Sequence, residues 1–255
     1  MSMTGQSGAE ERRPVSPVPT LILFDLDDTL CDYAAARRQR LQIAFSLGHG
    51  GNNPSPAHLE RMVSESVEMR AHGSDHFPDL FRRHGIGDPA GLAEAIDWYR
   101  RNQLHGLGLF PDAIATINAL RGATMVGNAT PVRRIGLVTN GPRDIQRSKI
   151  DWLKIGGLVD FSIISEEFGV WKPDPEIFQE ALRLGGATTD ETVFVGDSPE
   201  HDIAGARAAH IRTIWINRAR RAWSEPTFCP DYEIDQLSAL VPLLVPEVGE
   251  TPPLR

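Results

Sequence analysis

Leu21-Ile22-Leu23-Phe24 runs directly into Asp25-Leu26-Asp27-Asp28-Thr29. Four apolar residues without polar alternation read as a strand buried on both faces, and its end is loaded with carboxylates. The same apolar pattern recurs at Ile135 to Val138, Phe161 to Ile164, Val193 to Val195 and Ile211 to Ile216, with a short last candidate at Tyr232 to Ile234. Helical patterns separate the later runs. Ile114, Ile117 and Leu120 share one helical face, and Ile177, Phe178, Ala181 and Leu182 share another. Asp174-Pro175 opens the second of these helices, with a capping carboxylate followed by proline at the first helical position. Strands alternating with helices predict an α/β fold, a parallel sheet covered on both faces.

One interval breaks this rhythm. Between the first strand and Phe110 the patterns are helical, over Tyr33 to Leu47, Ala57 to Arg70 and Gly91 to Leu104. Polar turns such as His49-Gly50-Gly51-Asn52-Asn53-Pro54 separate them. The expected organisation is a disordered tail over 1–19, a core over 20–31 and 109–245, a helical cap over 32–108, and a flexible tail over 246–255. The cap reads as a mobile cover for a site at the sheet edge. The polar segment Gly122 to Pro131 carries no assigned role.

Composition narrows the partner classes. Acidic residues outnumber basic ones, 34 against 26, for a formal charge of −8 over 255 residues. That speaks against a nucleic-acid partner, because phosphate backbones attract basic faces. The two cysteines, Cys31 and Cys229, imply neither a disulfide framework nor a metal site. No run reaches the ~18 apolar residues of a membrane helix, and the first residues lack a secretory pattern. The expectation is a soluble cytoplasmic protein with no membrane partner, a monomer or homodimer.

Ligands of open parallel sheets bind beyond the carboxyl ends of the strands. There the first strand presents Asp25 and Asp27, the second Thr139-Asn140-Gly141, and the fourth Gly196-Asp197-Ser198 with Asp202 just beyond. Lys172 lies in Trp171-Lys172-Pro173-Asp174, in the loop after the third strand. Each aspartate alone reads equally well as a helix cap. Gathered in one crevice, Asp25, Asp27, Asp197 and Asp202 would repel one another without a cation. Oxygen donors with no His or Cys nearby suit a hard ion, and Mg2+ fits best.

Taken in order, Phe24-Asp25-Leu26-Asp27-Asp28-Thr29-Leu30, Val138-Thr139-Asn140-Gly141, Lys172-Pro173-Asp174-Pro175 and Gly196-Asp197-Ser198 with Asp202 resemble the four motifs of the haloacid dehalogenase-like (HAD) hydrolase superfamily. The resemblance covers roughly Leu21 to Leu244, and the position of the insertion is similar to that of the superfamily's helical cap subclass. It implies a Rossmann-like core and a Mg2+-dependent phosphatase acting on a small phosphorylated metabolite. By that resemblance Asp25 is the nucleophile that forms an aspartyl-phosphate, and Asp27 protonates the leaving oxygen and then activates water. The metal is held by Asp25, the Asp27 backbone carbonyl, Asp197 and Asp202, the last as a direct ligand or by orienting the others. Thr139 and Asn140 bind phosphoryl oxygens, and Lys172 offsets their charge.

Other readings stay open at this stage. A sugar-phosphate mutase needs the same nucleophile, and a catalytically silent binding protein needs only the fold. A 2-haloacid dehalogenase is disfavoured by Asp27, because a departing halide needs no proton. In the cap, Arg37, Arg38, Arg40 and the turn Arg70 to His76 either meet an anionic substrate or form solvated surface. Trp98, Trp171 and Trp215 read as packing residues.

Overall fold

The computed structural model describes residues 15, 17–51, 54–69, 73–122 and 133–245. The segment 123–132 and residues 70–72 therefore lie outside the described residues. The chain divides into two compact units, one of 1–25, 111–140 and 157–255, the other of 26–110 and 141–156.

The first unit is built on a parallel sheet of β1 (Leu21–Phe24), β2 (Arg134–Thr139), β3 (Phe161–Ile164), β4 (Thr192–Gly196), β5 (Arg212–Ile216) and β6 (Tyr232–Ile234). Strand order is β3-β2-β1-β4-β5-β6, so the chain steps outward from β1 on one side and then restarts at β4 on the other. The reversal beside β1 is the topological switch point at which such sheets open a crevice. Phe24 is in register with Leu137 on one flank and Val195 on the other. Register thus brings the residues that follow β1, β2 and β4 to one edge.

All four residues of β1 are fully buried. Leu21 and Leu23 pack with Val138, Ile163, Ile177, Phe178 and Phe194 in one apolar cluster. Gly136 belongs in mid-strand because a Cβ there would stand 2.4 Å from the Phe161 ring.

The second unit contains α1 (Tyr33–Leu47), α2 (Pro56–Glu68), α3 (Phe77–Arg83) and α4 (Pro89–Arg101). Its own core joins Leu41, Phe45, Met62, Val63, Phe77, Phe81, Ala95 and Tyr99. The short helix α3 has no counterpart among the sequence expectations. Seven residues are too few to display a helical period, and its apolar residues Phe77, Leu80 and Phe81 are recognisable only by what they pack on.

Helix α5 (Ala113–Gly122) returns to the first unit, α6 (Arg143–Trp152) belongs to the second, and α7 (Ser165–Phe168) to α10 (Leu240–Leu244) belong to the first. Within α5 the buried face is Ala113, Thr116, Ile117 and Leu120. Ile114 is exposed, which corrects its placement on the inner face. Helix α8 (Pro175–Gly185) is capped by Asp174, whose carboxylate accepts the Glu176 N–H at 3.0 Å. It ends at Gly186 in the left-handed conformation, φ 62°. Trp215 is buried, whereas Trp171 is exposed and packs no core.

Candidate active site

Asp25 stands one residue beyond β1 and is buried, its N–H donating to the Val195 carbonyl at 3.0 Å. Sheet hydrogen bonding therefore continues through the residue that carries the carboxylate. Lys172 arrives from the loop after α7. Its ammonium donates to Asp25 Oδ1 at 2.6 Å and to Asp202 Oδ1 at 2.7 Å, and its side chain is 2% exposed. Burial works against that charge, but the carboxylates of Asp202 and Asp25 outweigh it and hold the Lys172 pKa above the ordinary lysine value.

The loop bearing Lys172 is pinned from β2. The Asn140 side-chain amide donates to the Lys172 carbonyl at 2.9 Å, and the Lys172 N–H donates back to Asn140 Oδ1 at 2.9 Å. Asn140 thus grips the backbone of the loop with both ends of its amide. Thr139, the last residue of β2, is buried beside it in sequence.

Asp202 comes from a wide helical turn, Pro199–Ile203, that follows β4. Its Oδ1 meets Lys172, and its Oδ2 accepts the Ser198 N–H at 3.0 Å. The Asp197 backbone is held in turn by the Trp215 indole, which donates to its carbonyl at 2.8 Å. Carboxylate oxygens of Asp25, Asp197 and Asp202 all lie within 4.8 Å of one another. Three oxygen donors at that spacing suit a hard divalent cation.

Gly196 makes this approach possible. A Cβ at that position would sit 2.4 Å from the Asp202 carboxylate. The Gly196→Ala protein is expected to lose about 1–3 kcal/mol of stability by crowding alone. Denaturant unfolding checks this, and wild-type stability in that variant would mean that Asp202 has room to move aside.

Asp27 belongs to the other unit. Its Oδ2 accepts from the Lys149 ammonium at 2.6 Å and from the Gln146 amide at 3.4 Å, both on α6. The Cys31 thiol donates to Oδ1 at 3.6 Å. Asp28 turns the chain with φ 58°, and its carboxylate accepts the Ala34 N–H at 2.7 Å. Burial pushes the Asp28 carboxyl up to about 6, against the pull of that N–H.

The structure therefore brings Asp25, Lys172, Asp197 and Asp202 together in one unit, with Thr139 and Asn140 on the adjoining strand end. It places Asp27 against Lys149 and Gln146, two residues that sequence reading missed. Their signal was faint: a three-residue spacing on a mostly polar helix that opens just after Thr139-Asn140-Gly141. Only its packing reveals that Lys149 is buried, at 3% exposure. Arg37 and Arg40 are also buried rather than solvated, whereas Arg38 pairs with Glu60 at the surface.

Residues 19–210 match the haloacid dehalogenase-like hydrolase family. A glyceraldehyde 3-phosphate phosphatase of Methanopyrus kandleri is 34% identical over 224 residues, covering 84% of this chain and 92% of the relative. A phosphoserine phosphatase of Thermus thermophilus is 34% identical over 194 residues, 73% of each chain. The structure of the HAD-hydrolase YfnB of Bacillus subtilis, bound to magnesium, aligns with a TM-score of 0.68 at 24% identity, over 89% of this chain and 98% of that one. At that identity the likeness speaks to the fold alone. Among the described residues no helix is long and apolar enough to cross a membrane.

Proposed function

Because the chain belongs to the haloacid dehalogenase-like hydrolases, we propose that it is a Mg2+-dependent phosphatase that hydrolyses the phosphate monoester of a small cytoplasmic metabolite. The observation that carries this reading is the Asp25 carboxylate, held at the switch-point edge of the sheet by the Lys172 ammonium at 2.6 Å. The phosphatases among its relatives support it.

Asp25 has the place and the chemistry of a nucleophile. One oxygen is fixed by Lys172, so the other can attack phosphorus in line. A bond forms between that oxygen and phosphorus, and the bond from phosphorus to the ester oxygen breaks. Asp27, two residues further along the chain, gives the departing alkoxide its proton. The resulting Asp27 carboxylate then takes a proton from water, which attacks phosphorus and frees Asp25 and inorganic phosphate. Lys149 and Gln146 hold the Asp27 carboxyl group in orientation. The Thr139 hydroxyl and the Asn140 backbone N–H serve the phosphoryl oxygens, and Lys172 offsets their negative charge.

Mg2+ would be held by the carboxylates of Asp25 and Asp197, which lie close enough together to share an ion, and the family resemblance adds the backbone carbonyl of Asp27. Asp202 already has a donor on each carboxylate oxygen. Its role is thus to position Lys172 and the Asp197-Ser198 turn, within reach of the same ion. When bound, Mg2+ supplies fixed positive charge against the charge that builds on the phosphoryl group.

The test is phosphate release from a panel of sugar phosphates, nucleotides and small acid phosphates. Activity is expected with Mg2+ and to vanish with EDTA. Equal release in both conditions would remove the metal from the reading. Interconversion of sugar phosphates without net release would replace hydrolysis by transfer.

A further inference from the structure

The peptide unit that joins Asp197 to Ser198 is pinned at both ends, within the first unit. The β4–β5 register stops at the pair Gly196 and Trp215, so Asp197 is the first residue past the paired stretch. Its carbonyl accepts two side-chain donors, the Trp215 indole N–H at 2.8 Å and the Arg221 guanidinium at 3.3 Å. On the other side of the same peptide unit, the Ser198 N–H donates to Asp202 Oδ2 at 3.0 Å. A peptide unit is planar, so hydrogen bonds at its C=O and its N–H together fix its orientation. The Cα that carries the Asp197 carboxylate lies in that plane.

Both donors to the carbonyl are themselves held. Trp215 is buried in the sheet. Arg221 is exposed, but the buried Asn217 grips its backbone, accepting the Arg221 N–H at 2.9 Å and donating to the Arg221 carbonyl at 2.7 Å. The Arg221 guanidinium stands 5.9 Å from the centroid of the Trp215 ring. Trp223 packs edge-on against Trp215, with centroids 4.8 Å apart, and its indole donates to the carbonyls of Glu225 and Phe228. The connection over 217–231 between β5 and β6 is thus a loop packed on its own side chains. Connections of that length without secondary structure are uncommon and commonly functional.

A core tryptophan needs a partner for its N–H, but a surface arginine needs none. Packing alone does not account for two donors converging on one carbonyl, that of the half-buried residue whose carboxylate lies within 4.8 Å of those of Asp25 and Asp202. Carboxylates that close repel one another, so a ligand set of this kind must be held in place before the cation arrives. Partners outside the ligand set do this elsewhere, and they raise metal affinity by orienting the ligands.

We propose that Trp215 and Arg221 are positioning residues for the metal site, which hold the Asp197 carboxylate ready and so set the affinity for Mg2+. The assignment rests on Asp197 being a metal ligand, as in the reading above.

Mg2+ is titrated by calorimetry into wild type, Trp215→Phe, Arg221→Met and Arg221→Lys, and half-saturating Mg2+ is read from phosphate release. Trp215→Phe should raise the Kd roughly 10- to 100-fold. Arg221→Met removes one exposed donor and should raise it roughly 3- to 10-fold. Arg221→Lys keeps a charged donor and should lie between Arg221→Met and wild type. Half-saturating Mg2+ should shift in the same order, and high Mg2+ should recover most of the lost kcat. A purely structural role would instead lower the metal-free melting temperature and leave the Kd alone. Arg221 is exposed, so its variants carry the test if Trp215→Phe does not fold. Wild-type affinity in the Arg221→Met protein, or tighter binding, would overturn the inference for Arg221. Wild-type affinity in a folded Trp215→Phe protein would overturn it for Trp215. Both results leave the phosphatase reading standing. A wild type that binds no Mg2+ and releases no phosphate would remove that reading and this inference with it.

Discussion

Replacing Asp25 by asparagine is expected to lower kcat on the order of 10^4-fold or more, because the proposed covalent intermediate forms on its carboxylate. The substitution is nearly isosteric. The amide oxygen can still accept from Lys172, as Oδ1 now does at 2.6 Å. The fold should therefore survive, and what disappears is an anionic oxygen able to attack phosphorus. Two measurements check the result together. Phosphate release should vanish, and an acid-quenched wild-type reaction should contain a phosphorylated chain by intact mass that the variant lacks. A variant that still turns over at a tenth of the wild-type rate would move the nucleophile elsewhere, and Asp27 would be the next residue to examine.

The second large effect is expected at Lys172. Its ammonium bridges Asp25 and Asp202 at 2.6 and 2.7 Å with almost no exposure. The Lys172→Met protein keeps the bulk of the stem but leaves two buried carboxylates facing each other. Breaking a buried pair in this way costs about 3–5 kcal/mol. The loss of charge stabilisation at phosphorus should cost about 10^2- to 10^3-fold in kcat.

The pH dependence has a definite sign. Lys172 has a raised pKa in the fold, so its contribution is complete below the ordinary lysine range and is lost only as pH rises through the raised value. The wild-type protein should show no change from this group across neutral pH. In the variant, mutual repulsion raises the carboxylate pKa values, so the folded state takes up protons more readily than the unfolded chain. The stability gap to wild type should accordingly narrow as pH falls, and Mg2+ should narrow it at neutral pH. Chemical denaturation at several pH values, with and without Mg2+, reads both effects. A gap unchanged by acid and metal would mean that the Asp25 and Asp202 carboxylates relax apart.

Much of the scaffold could be read in advance because strand burial and strand composition are the same fact. Leu21–Phe24 has no polar face and forms a strand covered on both sides, and the later apolar runs named above as strands joined the sheet, whereas the apolar run Leu240–Leu244 forms helix α10. Helix α8 was equally legible, since Asp174-Pro175 is a local device that acts through its own backbone. Local devices say little about faces that depend on neighbours. Ile114 and Trp171 are apolar yet exposed, while Arg37 and Arg40 are charged yet buried. None of these four could be placed without the partner surface.

By itself the sequence determined the alternation of strands and helices, the strand ends on which Asp25, Thr139, Asp197 and the Lys172 loop fall, and the acidic chemistry that calls for a hard cation. These follow from periodicity and residue type, which are properties of short stretches. Tertiary structure alone decided that Lys172 joins Asp25 to Asp202 across 147 and 30 residues of chain, that Gly196 clears the way for Asp202, and that Lys149 and Gln146 hold Asp27 from α6. It alone decided that Arg37 and Arg40 are buried. The reason is physical: a hydrogen bond between distant residues depends on the sheet register and helix packing that bring them within reach, and no local pattern carries that distance.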